Sequence, residues 1–420
     1  MMNQAAQNTE FAPVPDHQVV ATVPRVNVHA FCDNQQTVQA MQSAAADRRM
    51  QRAHVTIQLG GIAAAVQVYQ SQPTPNVLIV ESHSQRDMLL AELAQLAQVC
   101  APNTKVIVIG HLNDVVLYRE LIRQGVSEYL VAPLHQLQII EAVAALYRDP
   151  KAEPLGRITA FVGAKGGVGS STLAHNFGSY ISKNLGVDTV ITDLDLAFGT
   201  AGLNFNQETS QGIIDALGQP DRVDQTLLDR LLTKCGDKLS LLASSGTIDR
   251  DVNIEAHAVE TILEIVRHNV PSVVVDVPNM WAPWIKYTLI QADDVVITAT
   301  PELASLRNAK NLIDLLRQAR PNDHAPRLVL NQVGVPKRPE IPVAEFAKAL
   351  GVEPTVVIPY DPQVFGTAAS NGQMIADVAP KSKAADAIAA LAKSLSGQEA
   401  PAKPAKSGLG GVLGKMLRKK

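Results

Sequence analysis

Between an apolar run at Ile158–Val162 and a helical pattern at Leu173–Asn184 lie the residues Lys165-Gly166-Gly167-Val168-Gly169-Ser170-Ser171-Thr172. A glycine-rich loop that leaves a strand and opens a helix has the form of a phosphate-binding P-loop. It commits this stretch to a βα unit of a parallel sheet. In the usual order G-x-x-x-x-G-K-[ST], the first glycine position holds Ala164 and the lysine position holds Ser170. The loop's own lysine, Lys165, comes earlier. Its glycines let successive N–H groups point at phosphate oxygens, and the helix behind adds the positive end of its dipole. Ser171 occupies the position whose hydroxyl meets Mg²⁺ in such loops. Ser170 is too short to reach terminal phosphates.

The rest of the chain repeats that alternation. Strand patterns at Arg25–Phe31, Val55–Leu59, Asn76–Glu81, Lys105–Ile109 and Glu128–Val131 alternate with helical patterns. This predicts a first α/β unit over 25–148. After a polar, proline-containing linker at 149–155, a larger unit spans 156–395. Its strands are predicted at Ile158–Val162, Thr189–Asp193, Leu239–Leu242, Ser272–Val277, Asp294–Thr298, Arg327–Asn331 and Thr355–Ile358. Most are continuous apolar runs, as strands buried on both faces require. The fold class is therefore α/β, with two doubly wound parallel-sheet domains. Residues 1–24, rich in Gln, Ala, Asn and Pro, predict a disordered segment. A second linker covers 396–407, and 408–420 forms a basic tail.

Composition excludes several classes. A chain of 420 residues with 46% hydrophobic and 18% charged residues is a globular protein of two or three domains. A net charge of −3 and 4% aromatic residues give no argument for nucleic acid, and none is expected as a partner. Three widely spaced cysteines, Cys32, Cys100 and Cys235, fit buried thiols in a reducing compartment better than a disulfide framework or zinc site. The N-terminus has neither the basic segment nor the apolar run of a signal peptide. No window reaches the roughly 18–20 apolar residues that span a bilayer.

Two carboxylate sites accompany the loop. Thr192-Asp193-Leu194-Asp195 ends the strand after it, and Val273-Val274-Val275-Asp276-Val277-Pro278 is an apolar strand ending in a carboxylate, the form of a Walker B segment. Ligands of open parallel sheets bind beyond the carboxyl ends of the strands, so both sites belong beside the loop. Carboxylates there suit Mg²⁺ and the positioning of an attacking water. Each alone also reads as an ordinary acidic turn; the combination is what discriminates.

With its early lysine, the loop resembles the deviant Walker A of the MinD/ParA class of P-loop ATPases. The likeness runs through Asp193-Leu-Asp195, Asp276-Val-Pro, Thr300-Pro301-Glu302, Leu328-Val-Leu-Asn331-Gln and Ile358-Pro359-Tyr360-Asp361, covering about 156–393. Within that class it is most similar to the CpaE/TadZ group of pilus assembly proteins, which carry a receiver-like domain in front and commonly lack the standard lysine. The resemblance implies ATP and Mg²⁺ as cofactors. It assigns Lys165 as the signature lysine reaching across an ATP-sandwiched homodimer, and Asp195 as the residue orienting water. Asp193 and Asp276 would support Mg²⁺ with Ser171, and Asn331 and the backbone near Pro359 would contact adenine. The cradle itself is Ala164 to Thr172. Ser170 points to slow hydrolysis. The implied partners are other pilus or secretion assembly proteins, and the implied location is cytoplasmic, recruited to the inner membrane or cell pole.

The first unit's ending, Gly125-Val-Ser-Glu-Tyr129-Leu-Val-Ala132-Pro133, resembles a response-regulator receiver. Where a receiver has an acceptor Asp, a Ser/Thr and a Lys, this chain has Glu81, Gly110 and Ala132. A degenerate receiver used for docking or dimerisation is implied, with Asp33 the remnant of an acidic pocket or simply a loop cap. In the tail, Leu409, Val412, Leu413, Met416 and Leu417 share a helical face, with Lys415, Arg418 and Lys419 opposite. That suits an anionic membrane surface or a partner groove. Trp281 and Trp284 read equally as partner anchors and as core. His175 reads as packing or surface. The rival functions are a positioning ATPase for chromosome, plasmid or division site, and a nucleotide-free scaffold. A reductase of the class lacks cluster-ligating cysteines, and a tyrosine kinase lacks a C-terminal tyrosine cluster.

Overall fold

The computed structural model describes residues 21–148, 155–208, 212–243 and 254–396. They build two sheets with helices on both faces. The first sheet holds β1 (Asn27–Cys32), β2 (His54–Leu59), β3 (Val77–Glu81), β4 (Lys105–Gly110) and β5 (Glu128–Val131). Its order is β2-β1-β3-β4-β5 and every pairing is parallel. The chain direction across the sheet reverses between β1 and β3, which opens a crevice at their carboxyl ends.

The second sheet holds β6 (Arg157–Gly163), β7 (Thr189–Asp193), β8 (Thr233–Gly236), β9 (Leu239–Leu242), β10 (Ser272–Val277), β11 (Asp294–Ala299), β12 (Arg327–Val333) and β13 (Pro354–Pro359). The order is β13-β12-β11-β6-β10-β7-β9-β8, with β6 and β10 central. Side-chain alternation divides these strands between two cores. Ile158, Ala160, Val162, Val273 and Val275 enter one, and Phe161 and Val274 the other. Burial of both faces explains the unbroken apolar runs in the sequence. One strand departs from the expected all-parallel pattern. The edge strand β8 pairs antiparallel with β9 through a tight connection. Its Thr-Lys-Cys-Gly sequence has no apolar run, because an edge strand has only one neighbour and a partly wet face.

The two sheets' layers are joined by buried charge. The Arg48 side chain donates to Asp323 at 2.8 Å and to the Gln291 carbonyl at 2.6 Å. Arg49 bridges Asp47 and Asp323, and Asn322 donates to Asp47 at 2.8 Å. Arg320 completes the cluster on Asp323 at 3.1 Å. Arg48 is 4% exposed, so these charges are compensated within the protein and not by water.

Of the expected disordered segment 1–24, the last four residues are described. Val23 is buried and its N–H donates to the Arg49 carbonyl at 2.8 Å, because its side chain completes the first sheet's core. The remainder of that segment, the linker apart from residue 155, and the tail 408–420 lie outside the described residues. Among the described residues no helix is long and apolar enough to cross a membrane.

Candidate nucleotide site

The glycine-rich loop leaves β6 and turns into the helix Ser170–Asn184. Two turns of backbone demand glycine. Gly167 and Gly169 have φ of +77° and +89°, and a Cβ on Gly169 would lie 2.7 Å from Asn331 Nδ2. Gly169 is the helix N-cap and no side chain caps the first turn. Leu173 N–H makes the first intrahelical bond to the Gly169 carbonyl, so the N–H groups of Ser170, Ser171 and Thr172 find no partner within the helix. They stand with the dipole's positive end at the wall of a cleft of about 590 Å³.

Lys165, Gly166, Gly167, Val168, Gly169, Ser170, Ser171 and Thr172 form one wall of that cleft. Asn331, Pro359, Tyr360, Phe365 and Met374 form much of the other, an apolar slot beside polar edges. The volume and the split between donors and apolar wall suit a nucleotide. Ala164 stands behind the loop, 3% exposed. Its N–H donates to Thr298 and its carbonyl accepts from Asn308, both at 2.8 Å, so a methyl is accommodated where the usual glycine stands.

Asn331 does more than line the slot. Its Nδ2 donates to the Val168 carbonyl at 2.8 Å and its Oδ1 accepts from Gln332 N–H. Gln332 in turn donates to the Gly167 carbonyl at 2.9 Å. Both ends of the Asn331 amide are thereby engaged in bracing the loop, whereas the resemblance implies a contact with adenine. Lys165 makes an ion pair with Glu302, at the start of the helix Leu303–Ala319.

The carboxylates meet behind the loop. Parallel register sets Asp276 of β10 beside Asp193 of β7. Asp193 accepts from the N–H of Asp195 at 3.0 Å and of Ala201 at 3.1 Å. Burial, reinforced by Asp276, pushes its carboxyl up to about 6. Asp276 Oδ1 is buried without a hydrogen-bond partner. Asp195 lies in the turn after β7, where its Oδ1 accepts from Phe198 N–H at 3.0 Å. These three carboxylates sit outside the cleft's own lining.

His175 joins them, although the sequence left it to packing or surface. It is fully buried, with Nε2 3.5 Å from Asp276 Oδ2 and Nδ1 2.7 Å from Asn204 Nδ2. Its place one helical turn after Ser171 was the available signal, since i and i+4 share a face. The tryptophans divide: Trp284 is buried and Trp281 is 57% exposed. An orphaned carboxylate oxygen, a second carboxylate and a serine hydroxyl are hard donors that fit Mg²⁺.

No family model matches the chain. Among solved structures, a pilus assembly protein CpaE from Caulobacter crescentus is 53% identical, covering 31% of this chain and 98% of its own at a TM-score of 0.30. A ParA family ATPase from Chlorobium tepidum is 28% identical, covering 57% of this chain and 98% of its own at a TM-score of 0.51. The septum site-determining protein MinD of Pyrococcus horikoshii, complexed with Mg-ADP, is 19% identical, covering 57% and 96% at a TM-score of 0.51. The CpaE identity falls in an N-terminal part, and the ATPase likeness takes in more than half of the chain. The chain belongs to the MinD/ParA family of P-loop ATPases and is related to the CpaE pilus assembly proteins.

Proposed function

We propose that this chain binds Mg-ATP in the cleft, dimerises around it, and organises assembly of a Flp/Tad-type pilus secretion system, hydrolysing ATP slowly. The cradle carries the nucleotide part: glycines 167 and 169 with positive φ and uncapped N–H groups at the head of Ser170–Asn184. Sequence identity to CpaE supports the pilus part.

The loop N–H groups bind the phosphates, and the slot beside Pro359, Tyr360 and Phe365 takes the base. Ser171, Asp193 and Asp276 would hold Mg²⁺, which would supply the charge that neutralises the phosphates. Ser170 offers only a neutral hydroxyl where a lysine would stabilise the transition state. Lys165 supplies that cation from the partner protomer once it leaves Glu302. Asp195 orients the attacking water. The exposed Trp281 beside Met280 gives assembly partners an apolar anchor. The tail 408–420 would recruit the protein to an anionic inner-membrane surface or the cell pole, and its removal should abolish flotation with anionic liposomes.

Sedimentation with ATP, ADP or no nucleotide tests this reading. A dimer with ATP alone supports it. A monomer that binds no nucleotide supports a bare scaffold, and brisk partner-stimulated turnover supports a positioning ATPase.

A further inference from the structure

At the carboxyl ends of β1, β3 and β4, in the crevice of the first sheet, three potential metal-binding atoms converge. Glu81 ends β3 and is fully buried. Its Oε1 accepts from Asn34 Nδ2 at 2.6 Å and Thr37 Oγ1 at 2.8 Å, and its Oε2 accepts from the Asp33 N–H at 2.7 Å. The carboxylate is thus fixed by neighbours that all donate to it. Its ion-pair contacts among the described residues are two histidines.

His111 Nε2 lies 3.1 Å from Glu81 Oε1, and His83 Nε2 lies 3.8 Å from the same oxygen. The two rings are stacked, with centroids 3.7 Å apart and planes 18° apart. Both imidazoles therefore turn the same nitrogen toward one oxygen, and the three atoms lie within 4.8 Å of one another. A single hydrogen bond to Glu81 explains His111 only. His83 Nε2 makes no hydrogen bond to the carboxylate and pairs only at the long distance of 3.4 Å with Asn34 Nδ2. A cation among the three would engage both imidazole nitrogens and the same carboxylate oxygen.

The donor set decides which cation. Two imidazole nitrogens and one carboxylate oxygen are the ligands of open zinc sites, which keep a position for water or an outside donor. Mg²⁺ prefers an octahedron of oxygens. Asn34 and Thr37 act as the outer hydrogen bonds that orient a metal-binding carboxylate. The His83 side chain is 51% exposed and that of His111 is 31%, so a cation enters from solvent over a buried carboxylate floor. The position that the sequence reads as a lost phosphate acceptor thus carries a different ligand set. Gly110, on the neighbouring strand, has no room for the receiver hydroxyl side chain, because a Cβ there would lie 2.1 Å from the Tyr129 hydroxyl.

We propose that Glu81, His83 and His111 bind a divalent transition-metal cation of the Zn²⁺ class, apart from the nucleotide site. Calorimetric titration of the full chain with Zn²⁺, without nucleotide, tests it. One equivalent is expected, with Mg²⁺ failing to compete. His83→Ala and His111→Ala should each weaken it by more than about 100-fold, and Asn34→Ala by about 10–100-fold as an outer-shell partner. The His83 side chain is half exposed, so His83→Ala should unfold at the wild-type temperature without metal, whereas His111→Ala also loses its bond to Glu81. Zn²⁺ should raise the wild-type Tm alone. Co²⁺ should give a visible d–d spectrum that the double histidine variant lacks. Failure of the wild type to bind Zn²⁺, or equal affinity in the double variant, overturns the site.

Discussion

Lys165 of the glycine-rich loop is paired with Glu302, 137 residues further along the chain, at the start of the helix after β11. The pair lowers the Glu302 carboxyl, through its bond to Lys165 first and then Thr300. Glu302 thereby holds in cis the cation that the dimer reading requires in trans. Glu302→Gln should release it. The pair is partly exposed and contributes about 0.2–1 kcal/mol, so ATP-dependent dimerisation should tighten by roughly 1.4- to fivefold per lysine released. Lys165→Ala should weaken the dimer instead. Sedimentation across an ATP titration measures both; equal dimerisation constants in wild type and Lys165→Ala would remove Lys165 from the interface.

Asp195 has two separable features, its charge and its acceptor bond to Phe198 N–H. Asp195→Asn keeps the acceptor and removes the charge, whereas Asp195→Ala removes both. If the charge orients water, both variants should lose about 100-fold or more of turnover while ATP binding persists. Phosphate release under single-turnover conditions reads this directly. Full turnover in Asp195→Asn would reduce the residue to a turn cap.

Much of this arrangement was legible because strand ends are legible. The apolar runs at Ile158–Val162 and Val273–Val275 located β6 and β10, and the carboxyl-end rule put Asp193 and Asp276 at one sheet edge; their side-by-side register depends on which strands pair. The parallel pairing of the first sheet followed from the same alternation. What escaped depended on tertiary approach. Strand β8 has a lysine and a glycine in four residues and packs only Cys235 against the core. The burial of His175 depends on how its helix sits over β10, and the bracing role of Asn331 depends on how closely β12 approaches the loop. The pairing of Lys165 with Glu302 joins segments that no local period connects.

The raised Asp193 carboxyl gives a pH dependence whose sign is fixed. Its folded value of about 6 exceeds the unfolded value of about 4, so the native state binds more protons between them. Stability should therefore rise as pH falls from about 6 to 4 and fall as pH climbs back, by about 1–3 kcal/mol. Asp323 works the other way: Arg48 and Arg320 hold its carboxyl well below the usual range, so its contribution is lost only below about pH 4. Denaturant midpoints between pH 7 and 4 should show a rise that Asp193→Asn flattens. Mg²⁺ competes with the same proton, so Mg-ATP affinity should drop on acidification through pH 6. A wild-type stability that declines steadily from pH 7 to 4 would contradict the assignment.

Arg48 concerns the joint between the two sheets. Its guanidinium meets Asp323, Asp293 and the Gln291 carbonyl, all on the ATPase side, from a segment of the first unit. Replacing Arg48 by Ala takes one partner from Asp323 and one from Asp293, which keep Arg49 and Arg320, and Arg267, respectively, so the loss should stay below the about 3–5 kcal/mol of a fully broken buried pair. Asp323→Asn removes one of those charges as well, so the double variant Arg48→Ala/Asp323→Asn should recover part of the loss, the signature of a direct pair. Calorimetry distinguishes a joint from a local core. If the cluster couples the units, Arg48→Ala should split one unfolding transition into two, with the first unit melting separately. A single transition shifted as a whole would mean that other contacts between the units, Gln136 with Asn322 and Gln291 with Gln51 among them, still couple them without Arg48.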